Sequence, residues 1–153
     1  MKRLHDQSCL LDSFSHVLNI CPERLWRGIG HDGFIHGFHT QELIEEVYKY
    51  GFAVTMIERK CGSINPKTGE VHYIEFGDRG SEKRFVDCMW NKIGILMGLN
   101  KKRNPHAVAW EFNRIWDPSD GSCYPHIEAD IGVGSVPEPR FTARNFLRID
   151  RVL

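Results

Sequence analysis

His5-Asp6-Gln7-Ser8-Cys9-Leu10-Leu11-Asp12-Ser13-Phe14 joins a polar segment directly to an apolar periodic one, and a cysteine stands at the junction. Leu10, Leu11, Phe14, Val17 and Leu18 recur at the spacing of one buried helical face. Ser8 or Asp6 is the expected N-cap, which places Cys9 in the first turn. Unpaired backbone N–H groups and the positive end of the helix dipole favour a thiolate there and lower the pKa of the sulfur. Cys9 is therefore a candidate nucleophile. The bland alternative is a small buried helix residue.

Acyl chemistry at a thiolate also needs a proton carrier and a group to orient it. Both are found far down the chain, in Pro105-His106-Ala107-Val108-Ala109-Trp110-Glu111-Phe112-Asn113-Arg114-Ile115-Trp116-Asp117-Pro118. Ala107–Glu111 and Arg114–Trp116 read as two strands joined by a tight turn at Phe112-Asn113. His106 then opens the hairpin and Asp117 closes it, which brings the two side by side in space. Taken singly, His106 is a strand-end histidine and Asp117-Pro118 a turn initiator.

The order of the remaining elements predicts an α+β fold. Pro22 opens a second helix that runs to Arg27, suited to the position by its missing N–H. A loop rich in glycine and histidine, Gly28–His39, precedes a helix capped by Thr40 and running from Gln41 to Tyr50, which Gly51 ends. Phe52–Glu58 reads as a strand, paired in a hairpin with Val71–Phe76 across a turn at Asn65–Glu70. Gly77–Gly80 is an expected loop and Ser81 the cap of a helix ending at Trp90. The unbroken apolar run Ile93–Leu99 marks a central strand. After Pro118 the expectation is loop, then a short helix from Thr142 and a last strand through Ile149 and Val152, with Glu128 and Asp130 solvated.

At 153 residues the expectation is one domain with its own core. Lys plus Arg and Asp plus Glu both total 20, so no charge footprint points to nucleic acid or to an anionic membrane. No signal peptide and no membrane span is read from the sequence, which predicts a cytoplasmic protein. The five cysteines include no CxxC pair, against both a disulfide framework and a cysteine-based zinc site. His31, His36 and His39 with Asp32 invite a metal reading, but their spacing on a glycine loop matches no rigid ligand scaffold. Asp32 and His39 are instead expected to tie the loop down and cap the next helix. No metal or cofactor is expected.

Helices first with a cysteine at the mouth of the first, then an antiparallel sheet carrying His and Asp, is a papain-like layout. Asp6-Gln7-Ser8-Cys9 with its helix, His106-Ala107-Val108-Ala109-Trp110, and Ile115-Trp116-Asp117-Pro118 resemble the small papain-like peptidases related to bacteriocin-processing enzymes. The resemblance implies Cys9 as nucleophile, His106 as general base and Asp117 as the group that fixes the imidazole. That family usually places an oxyanion-hole glutamine further ahead of the cysteine, near Arg3 here; Gln7 stands closer. The Asp-x-x-Cys spacing also resembles ovarian-tumour type deubiquitinases, whose loop before the cysteine supplies backbone donors. Gln7 and the backbone N–H of Cys9 are the expected oxyanion donors, and His31, Asp32 and His39 are expected to border the substrate cleft.

The function expected is hydrolysis of a peptide or isopeptide bond, with a polypeptide substrate or host protein as partner. The same triad also suits transglutaminase-like acyl transfer or glutamine deamidation. A papain-like domain that binds a host protein without catalysis is the alternative outside enzymology.

Overall fold

A computed structural model describes residues 8–59, 63–64, 71–72, 78–132 and 136–152. The chain is α+β, as its pattern predicts. Three helices come first: α1 (Cys9–Leu18), α2 (Pro22–Ile29) and α3 (Thr40–Tyr48). Strand β1 (Phe52–Glu58) follows, then a small ribbon of β2 (Ser63–Ile64) and β3 (Val71–His72), and helix α4 (Asp78–Met89). The rest is mostly strand: β4 (Ile93–Asn100), β5 (Pro105–Glu111), β6 (Arg114–Trp116), β7 (Cys123–Pro125) and β8 (Phe141–Arg151), with a 3-10 turn at His126–Glu128. The main sheet has the order β1-β8-β4-β5-β6-β7, and all its pairings are antiparallel.

The apolar run of β4 is explained by burial on both faces. Ile95 belongs to a cluster with Leu11, Phe14, Leu25, Leu43 and Val47 from α1–α3. Its neighbour Leu96 belongs to a second cluster with Phe85 and Met89 of α4, and with Val108, Trp110 and Phe146. One sheet thus carries helices on both sides. No helix among the described residues is long and apolar enough to cross a membrane.

Helix ends follow local chemistry. Asn19 (φ 54°) and Gly30 (φ 105°) close α1 and α2 in the left-handed conformation; α2 runs two residues past the expected Arg27. His39, rather than Thr40, is the N-cap of α3, and the Glu42 carboxylate reaches back to the His39 N–H at 2.9 Å. Helix α4 starts at Asp78, ahead of the expected cap at Ser81.

Two expectations about the sheet are overturned. Strand β1 pairs with β8, Phe52 to Arg151 through Glu58 to Asn145, and not with the segment after Asn65. Val71–His72 pairs with Ser63–Ile64 instead; residues 65–70 and 73–77 lie outside the described residues. The predicted helix at Thr142 is the first part of the single long strand β8. Hydrogen bonding to neighbours on both edges overrides its local preference. A bulge hides the strand's period: Met97 faces Asn145 while Gly98 faces Ala143, so Arg144 has no opposite number on β4. Phe141, Ala143 and Phe146 all reach the α4 cluster, whereas Leu147 and Ile149 reach the other. Asp130 is no solvated residue either: it pairs with the buried Arg59 at 3.0 Å.

The bulge lies beside the candidate histidine, since Gly98 is the β4 partner of His106. A Cβ at Gly98 would run into the Thr142 carbonyl oxygen. Only glycine lets β8 approach β4 this closely.

Candidate active site

Cys9 is the first residue of α1 and is partly buried. Asp12 N–H makes the first intrahelical bond, to Ser8 O at 2.8 Å; the N–H groups of Cys9, Leu10 and Leu11 precede it, at the positive end of the helix. Ser8 occupies the N-cap position without capping: its hydroxyl donates to the buried Asp12 Oδ2 at 2.6 Å. The helix crosses β5, where Ser13 Oγ lies 3.4 Å from Ala107 O. That crossing carries its first turn to the start of β5, where His106 sits.

The β5–β6 hairpin forms as its sequence predicts. Phe112 (φ 46°) and Asn113 (φ 74°) both take positive φ, the requirement of a two-residue turn matched to strand twist. Pairing runs Glu111–Arg114, Trp110–Ile115 and Ala109–Trp116. Continued by one step, this register sets Asp117 opposite Val108. It is then diagonal to His106 on one face of the sheet, within reach of long side chains. His106 Nε2 and Asp117 Oδ1 are 2.8 Å apart, with side chains only 7% and 17% exposed. Cys9 is close enough to the ring to favour its charged form, and with Nε2 held by Asp117, Nδ1 is the nitrogen left over. The ring of Phe141 meets the imidazole edge-on, 6.3 Å between centroids.

Electrostatics follow from this arrangement. Burial opposes a charge on His106, but hydrogen bonds to Asp117 and Cys9, and the negative charge of both, outweigh it and raise its pKa to about 9. For Asp117, burial again works against charge. Bonds from His106 and from the Ser119 hydroxyl and backbone outweigh it and hold the carboxyl below the usual range.

A pH dependence follows with a definite sign. The folded value of His106 lies above its ordinary 6.5, so its stabilisation is complete below pH 6.5 and lost as pH rises through about 9. Thermal unfolding from pH 6 to 10 should show a Tm that declines across that window, and a smaller decline for His106→Gln. Equal declines would deny the ring its charged state.

The structure thus brings together Cys9, His106 and Asp117. The other predicted residues have partners of their own or lie outside the described residues. Gln7 lies outside the described residues. His31 Nε2 is 2.5 Å from Glu42 Oε2 of α3, its Nδ1 accepts the Gly33 N–H at 3.1 Å, and its ring stacks on Phe38. Asp32 Oδ1 accepts the Phe34 N–H at 3.0 Å, and His39 caps α3. These bonds tie the loop to itself and to α3. Among the described residues no group of three His, Cys, Asp or Glu side chains is placed to hold a metal ion.

Sequence reasoning missed two neighbours of the site. Ser119 bonds the Asp117 carboxylate through both its N–H (2.9 Å) and its hydroxyl (2.7 Å); the run Asp-Pro-Ser was the available signal. His16, near the far end of α1, stacks flat on Trp116 at 4.1 Å and bonds Glu111 at 3.1 Å, linking the cysteine's helix to the β5–β6 hairpin that leads into Asp117. No protein-family model matches the chain, and no curated protein matches it.

Proposed function

We propose that the chain is a thiol hydrolase of papain-like construction that cleaves a peptide or isopeptide bond of a polypeptide substrate. One observation carries the reading: His106 at a strand start is bonded through Nε2 to Asp117, just past a strand end, with Cys9 of the first helical turn close enough to favour the charge on the ring.

The thiolate of Cys9 attacks the carbonyl carbon, and the negative oxygen that results is met by the N–H of Cys9 at the head of α1. The His106 imidazolium gives its proton to the leaving amine as the carbon–nitrogen bond breaks. A thioester to Cys9 remains. Water attacks it, His106 takes the water's proton, and the carboxylic acid leaves with the thiolate restored. Asp117 keeps the Nε2 proton in place, so that Nδ1 is the nitrogen that exchanges protons. No cofactor takes part. A reducing, cytoplasmic setting suits the protein, and Cys9, Cys21, Cys88 and Cys123 are all free thiols.

The test is digestion of a mixed peptide library by the purified chain, with products read by mass spectrometry. New termini that disappear on treatment with iodoacetamide support the reading. Unchanged peptides under reducing conditions count against it.

A further inference from the structure

The carboxylate of Asp117 is held unusually tightly for a group on a surface loop. Its Oδ1 accepts from His106 Nε2 at 2.8 Å, from Ser119 N–H at 2.9 Å and from Ser119 Oγ–H at 2.7 Å. The backbone closes around the same residue: Asp117 N–H donates to Ser122 O at 2.9 Å, and Gly121 N–H donates to Asp117 O at 2.8 Å. Pro118, between the aspartate and the serine, is buried and fixes one of the loop's dihedrals.

We infer that Ser119 is a positioning residue for the catalytic group, acting through Asp117; this rests on the triad reading above. Three donors on one oxygen do two things. They leave the carboxylate little freedom to rotate, so the imidazole it holds through Nε2 keeps one orientation beside Cys9. They also hold the carboxylate as the acceptor of the ring N–H, which keeps the proton on Nε2. Ser119 is exposed, and among the described residues its hydroxyl bonds Asp117.

Ser122 supplies the internal control. It lies on the same loop, but its hydroxyl accepts from Arg140 Nη2 at 3.0 Å, and only its backbone carbonyl meets Asp117. Ser122→Ala therefore removes a loop hydroxyl without touching the carboxylate.

The experiment follows the rate of Cys9 alkylation by iodoacetamide from pH 4 to 8, site by site, in the full chain and in Ser119→Ala, Ser119→Thr and Ser122→Ala. Losing one donor loosens the hold of Asp117 on the imidazolium, which then supports the Cys9 thiolate less well. The acid limb of the Ser119→Ala profile should then move up by roughly half a unit to one unit, the share of one hydrogen bond to a charged group. Ser119→Thr should return it to the wild-type position, and Ser122→Ala should leave it there. An unmoved limb in Ser119→Ala, with Cys9 still reactive at low pH, overturns the inference and leaves the triad standing. Equal shifts in Ser119→Ala and Ser122→Ala also overturn it, since the effect then belongs to the loop. A wild-type Cys9 that reacts no faster than an ordinary thiol at any of these pH values overturns the triad reading itself.

Discussion

Cys9→Ala should abolish hydrolysis, with a rate loss on the order of 10⁴-fold or more, while the protein keeps its fold. The size follows from the nature of a triad: remove the nucleophile and the base has nothing to activate, so the whole covalent route is lost at once. The fold survives because the residue is only partly buried; a thiol-to-methyl change there costs about 1 kcal/mol or less. Near-unchanged thermal unfolding beside absent turnover is the expected pair of readings. The variant carries a second signature. Two of the supports for the His106 charge are the bond to Cys9 and its negative charge, so the ring should lose its proton at a lower pH than in the parent chain. Histidine NMR titration reads this directly. Turnover that survives in Cys9→Ala would remove the thiol from the reaction.

Trp110→Ala should cost the most stability. The indole is fully buried, donates its Nε1–H to Met89 O at 2.9 Å, and fills the cluster between the sheet and α4 together with Phe85, Val108 and Phe146. Truncation leaves a cavity and removes one of the two donors to Met89 O, whose other donor is the Lys92 N–H at 3.0 Å; together these are worth about 3–5 kcal/mol. For a domain of this size that is roughly a 10 °C fall in Tm or more. Trp90→Ala is the comparison: its side chain is 41% exposed, and a change within about 1 kcal/mol is expected. Equal losses for the two tryptophans in calorimetry would contradict the packing of α4 on this face.

What was legible in the sequence was local. Periodicity around Leu10, Leu11 and Phe14 placed Cys9 at a helix start, because burial of one helical face leaves that pattern on the chain. His106 and Asp117 were legible through their hairpin, whose register converts a short sequence separation into contact. The partners of β1 were not legible. Its pairing with β8 is decided by long-range hydrogen bonding and by the cover that α1–α3 give that face, and no residue in Phe52–Glu58 records which strand lies beside it. Strand β8 was misread because the bulge at Arg144 breaks the alternation that marks a strand. Asp130 was misread because its partner, Arg59, is far away in sequence. In the histidine loop the tie of Asp32 to its own loop and the capping by His39 were legible as local chemistry, whereas the bond from His31 to Glu42 of α3 leaves no local pattern. Ser119 was passed over because a serine in a turn is common, and only the carboxylate it grips gives it meaning.

The most direct test of the central claim is the rate of alkylation of each cysteine by iodoacetamide as a function of pH, read by peptide mass spectrometry. Cys21 and Cys123 are exposed and serve as internal standards, since exposure alone favours them over the half-buried Cys9. A thiolate held by His106 should make Cys9 at least about ten-fold faster than either at pH 6, with a rate nearly level from pH 6 to 8, while the standards climb about ten-fold per unit. If Cys9 instead rises in parallel with Cys21 and Cys123 and stays slower than both, its sulfur is an ordinary thiol and the Cys9-His106-Asp117 group is not a catalytic triad.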